Sequence, residues 1–131
     1  MDRESLKTFE DLECWKACRE LRVFVAKTIC KALPKEERFR LGDQILRAAR
    51  SSTANIAEGY GRFHYLDNAK FCSNARGSCW EMVDHLITAH DEEIITSELL
   101  EQGRALAATA IALLNGYISY LRRASRERDT Q

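Results

Sequence analysis

Residues 41–62 read LGDQILRAARSSTANIAEGYGR, and their apolar positions return every three or four residues. Leu41, Ile45, Ala49, Ser52, Ile56 and Tyr60 fall on one face of a helix at that spacing. Arg40, Asp43, Gln44, Arg47, Arg50, Ser51, Asn55, Glu58 and Arg62 fall on the other. A helix divided in this way buries one stripe and turns the other to water. Gly59 and Gly61 end it, and Gly59 is expected to take a left-handed backbone there with a further bend at Gly61.

The same periodicity extends to both sides of this segment. Upstream, Cys14, Ala17, Cys18, Leu21, Phe24, Val25, Thr28, Ile29 and Ala32 are the inward candidates of a first helix that stops before Pro34, the single proline. Downstream, Asp67 is a candidate N-cap for a third helix, and Thr96 or Ser97 for a fourth with Glu98 in its first turn. The pattern predicts helices over about 11–33, 37–58, 67–90 and 97–124, with residues 125–131 as a frayed tail. Each is roughly 30–42 Å long at 1.5 Å per residue. Four long helices on short connections make the fold all-α, an antiparallel up-down-up-down four-helix bundle in one domain over residues 1–131.

Composition agrees. The 131 residues are 45% hydrophobic and 31% charged, with one Pro and six Gly, too few turn residues for a sandwich or barrel. Twenty Lys and Arg balance twenty Asp and Glu, which excludes a generally basic coat for nucleic acid. The charges are segregated, however. Residues 81–103 hold seven acids and no Lys or Arg, whereas 35–80 and 104–131 are net basic. The start of the chain has no apolar export segment. The uncharged run 105–121 is at the lower limit of spanning length and includes Thr109, Asn115 and Ser119, so it reads as a buried helix rather than a membrane span. Five cysteines without CxxC spacing fit reduced core thiols and a cytoplasmic location.

Helices 3 and 4 carry apolar arcs of about 180–200°, wider than one core needs. Phe71, Cys72, Cys79, Trp80 and Met82 lie on the first; Leu99, Leu106, Leu113 and Tyr117 on the second, whose other side carries Ala105, Ala108 and Ala112. A second buried surface is therefore expected, against copies of the same chain. Arg76 falls at the margin of the helix 3 arc and needs a partner, with Glu58 the first candidate. Arg40, Arg47 and Arg50 fall within about 80° of one another on helix 2, a phosphate-contacting stripe or a solvated face.

No catalytic constellation emerges. His64, His85 and His90 are scattered, and Glu81/His85 or Cys14/Cys18 supply two ligands where structural zinc takes four. The sequence has no HExxH, no glycine-rich phosphate loop and no G-x-S-x-G. The reading is non-enzymatic, with neither metal nor cofactor.

Residues 44–62, QILRAARSSTANIAEGYGR, resemble the Q-I-x-R-A-A-x-S-x-x-x-N-I-A-E-G-x-G-R signature of a four-helix-bundle family first noticed as reading frames within intervening sequences of bacterial 23S ribosomal RNA genes. Ala75-Arg76-Gly77-Ser78-Cys79-Trp80-Glu81 is similar to the family's A-x-G-S-x-x-E block. Phe9, Leu12 and Trp15 fall in a run similar to its F-x-x-L-x-x-W-x-x-A opening, with Ala17 one residue short of the final alanine, and Ser52 departs from the usual isoleucine. The resemblance covers about residues 9–123. It implies an antiparallel four-helix bundle and a homo-oligomer, most simply a pentamer. It also implies likeness to the accessory protein of diversity-generating retroelements, which binds nucleic acid and partners a reverse transcriptase.

Two functional classes follow. One is an oligomer that binds RNA, DNA or a reverse-transcriptase-like enzyme through a basic rim, with Arg47, Arg50 and Arg62 as the contacts. The other is an oligomeric protein-interaction scaffold without nucleic-acid affinity. Asn55, Glu58, Gly59, Gly61 and Arg76 read as structural members of the signature, with Glu58 able to pair with Arg62 across the turn.

Overall fold

A computed structural model describes residues 7–129. Four long helices account for most of them. Helix α1 covers residues 13–32, in three pieces: Glu13–Phe24, a π-turn at Val25–Ile29 and a last turn at Cys30–Ala32. Helix α2 is Leu41–Gly61, α3 is Tyr65–Asp91 and α4 is Ser97–Asp129. Short 3-10 turns at Phe9–Asp11 and Lys35–Glu37 precede α1 and α2.

The contacts between helices fix their senses. Arg22 meets Thr53 and Leu33 approaches Gly42, so α1 and α2 run antiparallel. Gly59 abuts Asn68, and Ser51 meets Ser78, so α2 and α3 do too. Asn68 meets Tyr117, while Leu86 abuts Gly103, giving the same relation between α3 and α4. Helix α1 closes the bundle against α4, where Phe24 sits beside Gly103.

The π-turn in α1 has a cause in the sequence. Leu21, Val25, Ile29 and Leu33 are each four residues apart and all lie in the core. On an α-helix of 3.6 residues per turn, that spacing drifts about 40° per step. The wider turn, closed by the Cys30 amide on the Val25 carbonyl, absorbs part of the drift. It also explains one departure from the α-helical expectation: Thr28 and Ala32 turn outward, and Leu33 takes the inward place.

The helix ends differ in detail from the sequence reading. Helix α3 takes His64 as its N-cap residue, which places Asp67 inside the first turn, where the dipole favours its charge. Thr96 does cap α4, its Oγ1 accepting from the Leu99 amide at 3.2 Å. Helix α4 continues through residues 125–129, expected to fray, and the last two residues of that tail lie outside the described range. At the end of α3, the Ile94 amide donates to the Ala89 carbonyl and the Glu93 amide to that of His90. That is a Schellman closure, with Glu93 in the left-handed position usually given to glycine.

The core is contributed by all four helices and includes four of the five cysteines: Cys14, Cys18, Cys72 and Cys79. The Cys18 and Cys79 sulfurs are 3.7 Å apart, between α1 and α3. No described helix is long and apolar enough to cross a membrane.

Candidate functional site

The signature residues of α2 divide between two surfaces of that helix. One faces α3 and is closed; the other faces α1 and solvent.

On the α3 side, Asn55 Nδ2 donates to the Ser51 carbonyl at 2.9 Å and to Ser51 Oγ at 3.0 Å. Ser78 Oγ sits 3.0 Å from the same Ser51 hydroxyl. The two sequence blocks, one on α2 and one on α3, therefore meet through Ser51 and Ser78. Gly59 lies further along the seam, within α2. A Cβ there would come within 2.8 Å of Asn68 Oδ1, 2.9 Å of Phe71 Cβ and 3.0 Å of the Asn68 carbonyl oxygen. Gly59 is thus required for close helix approach. The left-handed residue of the turn is Phe63, with φ of 61°, and no described glycine has positive φ. The expected left-handed backbone at Gly59 is overturned for this reason: the helix continues through Gly61 before it turns. Space around Gly61 is open.

Asn68 was not singled out by sequence reasoning and is the polar centre of this seam. It is fully buried, its Nδ2 donates to Tyr117 Oη at 3.1 Å, and its Oδ1 accepts from the Cys72 thiol at 3.5 Å. One side chain so connects α3 to α4 while α2 packs over it at Gly59. An asparagine in the first turn of a helix ordinarily reads as a surface or capping residue, so the sequence carried little signal for this role.

Arg76 meets Asn115 Oδ1 on α4 at 2.7 Å, and does not pair with Glu58. Glu58 pairs with Arg62 at 3.5 Å, both side chains about half exposed. The guanidinium of Arg62 also stacks over Phe71, 5.0 Å from its centroid.

On the other side of α2, Arg47 and Arg50 are exposed. Arg62 lies about 18 Å further along the helix from Arg50, at 1.5 Å per residue. The three do not form one cluster. Instead the fold brings Arg22 of α1 to Arg50: both line a groove of about 360 Å³ with Ala26, Leu46 and Thr53. Arg22 Nη1 donates to Thr53 Oγ1 at 2.8 Å. Among the described residues, no carboxylate lies within ion-pair distance of Arg22, Arg47 or Arg50.

The Cys18 thiol is lowered by its hydrogen bond with Cys79, whereas the other core thiols are raised and so unsuited to nucleophilic work. Burial pushes the Cys72 thiol up to about 12, and burial likewise raises Cys14. Cys79 is raised by the neighbouring Cys18 and by burial. A protonated thiol is a poor nucleophile and metal ligand. His85 is 3.1 Å from Glu81, and His90 is 2.9 Å from Ser97 Oγ. Among the described residues, no three His, Cys, Asp or Glu side chains are placed to hold a metal ion.

The profile of the family described as 23S rRNA-intervening sequence protein matches residues 10–116. The chain belongs to that family. The match takes in α1 to α3 and much of α4, so both halves of the α2–α3 seam lie within the 23S rRNA-intervening sequence protein region. No curated protein matches the chain.

Proposed function

We propose that this 23S rRNA-intervening sequence protein is a non-enzymatic, homo-oligomeric helical bundle of the bacterial cytoplasm that engages nucleic acid, or a reverse-transcriptase-like enzyme that handles it. The observation that carries the reading is the pair of exposed arginines on α2, Arg47 and Arg50, neither of which has an ion-pair partner among the described residues. Guanidinium forks match phosphate oxygens, and a charge with no internal partner is free to make that contact. A neutral chain binds a polyanion only locally, so repeated copies in an assembly are needed to raise modest single-site affinity. Assembly is supported by Trp80, 58% exposed beside a groove between α3 and α4 lined by Val83, Ala105, Ala108 and Ile111. The number five comes from the family resemblance.

A mobility shift with structured RNA or DNA at about 50 and 200 mM salt tests the contact. Wild type binds at the lower salt and weakens steeply at the higher. The Arg47→Ala/Arg50→Ala double variant, checked for fold and mass, loses most of that binding, and Arg62→Ala loses less. Equal binding by wild type and the double variant removes these arginines from the reading. Light scattering of the purified chain gives several times the 15.0 kDa protomer mass; a monomer at micromolar concentration overturns the assembly.

The second reading is a protein-interaction scaffold. Its support is apolar exposure at both ends of α2, with Phe39 81% and Phe63 74% exposed. Absence of nucleic-acid binding at low salt, with the assembly intact, favours it.

A further inference from the structure

We propose that Arg22, Arg50 and Thr53 form a binding site for a phosphate group in the groove between α1 and α2. The proposal sharpens the nucleic-acid reading, and rests on it only where the phosphate is a diester of a nucleic-acid backbone. A free or monoester phosphate presents the same chemistry.

Three observations converge on this groove. The first is its charge. Its lining has two arginines, one hydroxyl and two apolar side chains, Ala26 and Leu46, and no carboxylate. Three other surface grooves each include an acid beside their bases: Asp43 with Lys31 and Arg38, Glu20 with Lys16 and Arg19, and Glu101 with Arg104. Those three grooves offset their own cations; this one does not.

The second observation is preorganisation. Arg22 is half-buried, and its Nη1 is held by Thr53 Oγ1 at 2.8 Å. Thr53 Oγ1 is in turn 3.4 Å from the Arg50 carbonyl oxygen, to which it can donate. The hydroxyl therefore ties the Arg22 guanidinium to the turn of α2 that carries Arg50. One of five guanidinium N–H donors is spent on Thr53, and four remain. A cation held in place and partly screened from water binds an anion more strongly than a freely rotating one.

The third is the backbone of α1. Ala26, one of the lining residues, belongs to the π-turn Val25–Ile29, where the helix departs from α geometry. Single π-turns within α-helices occur often at functional sites. The α1–α2 face is also the one opposite α3–α4, since α1 packs on α2 and α4 while α3 packs on the same two helices. A copy seated on the Trp80 groove leaves the arginine groove free.

The test uses the full chain in a phosphate-free buffer. Arginines are modified with phenylglyoxal, and peptide mass spectrometry reads each site with and without millimolar inorganic phosphate, against sodium chloride at equal ionic strength. Phosphate slows modification of Arg22 and Arg50 severalfold and leaves Arg62 unchanged. In parallel, fluorescence anisotropy reads binding of a labelled oligonucleotide to wild type, Arg22→Gln, Arg50→Gln, Thr53→Val and, as control, Lys70→Gln. Arg50 has no ion pair among the described residues, so Arg50→Gln keeps the fold where Arg22→Gln weakens it; thermal melts establish this for each variant. Arg22→Gln and Arg50→Gln each lower affinity about tenfold, as loss of a hydrogen bond to a charged group does. Thr53→Val lowers it less, and Lys70→Gln leaves it unchanged.

Protection by phosphate together with these losses identifies a backbone phosphate. Protection by phosphate without oligonucleotide binding keeps the site as one for a small phosphorylated ligand, while the nucleic-acid reading falls. Oligonucleotide binding that ignores Arg22→Gln and Arg50→Gln, with no protection by phosphate, overturns this site and leaves the nucleic-acid reading standing. No protection and no binding overturns both.

Discussion

Helix α2 has a closed side and an open side, and they use its residues in opposite ways. Toward α3, Gly59, Ser51 and Asn55 are spent on contact: a missing Cβ lets Asn68 and Phe71 approach, and the Ser51 hydroxyl, held within α2 by the Asn55 amide, meets that of Ser78. Toward α1, Arg50 and Thr53 border a groove whose lining holds two arginines and no carboxylate. The signature that is most recognisable in the sequence is thus, in large part, a packing motif. The residues with chemistry left over for a ligand are the less distinctive arginines beside it.

Substitutions along this one helix measure the difference. The largest effect is expected from Gly59→Ala. The new methyl meets backbone at Asn68 as well as side chains, so α2 and α3 must separate. Overpacking of this kind costs about 2–3 kcal/mol net of the better helix propensity of alanine. A urea midpoint equal to that of wild type would show that the seam is not as tight as its geometry. Asn68→Ala follows at about 2 kcal/mol, since it removes the hydrogen bond to Tyr117 and leaves space in a fully buried site. Thermal melts that separate the single variants from the Gly59→Ala/Asn68→Ala double reveal coupling, because the two residues touch.

Gly61→Ala has the opposite sign. This position is helical, its surroundings are open, and its backbone needs no positive φ, so alanine stabilises by about 0.5–1 kcal/mol. A destabilisation here would mean that the second glycine of the signature serves the closed side as well. Glu58→Ala is expected to cost less than about 0.5 kcal/mol, because its pair with Arg62 is exposed. The smallest stability effect belongs to Arg50→Gln, near zero in the urea melt, since no described residue pairs with it. A large loss would show Arg50 to be part of the fold and remove it from the open side.

The sequence by itself determined the helices. Periodic apolar residues, one proline and the Thr96 cap are local signals, and they place four helices close to where they form. It also pointed to a wide apolar surface on α3 and α4, of which Trp80 remains exposed. The pairing of Glu58 with Arg62 was legible because four residues make one helical turn.

Tertiary structure decided which residues meet across helices. Arg22 and Arg50 are far apart in the chain and belong to separate periodic patterns, so no spacing rule brings them to one groove. Arg76 reaches Asn115 on α4 instead of Glu58 for the same reason. The role of Gly59 was misread because a glycine near a helix end has two uses, and only the position of α3 selects close approach over a left-handed turn. The π-turn was likewise hidden. Four-residue spacing in Leu21, Val25, Ile29 and Leu33 is compatible with a drifting α-helical stripe, until the core requires all four on one side. Local sequence sets which residues share a helix face; packing sets which faces meet, and with them the chemistry each groove can offer.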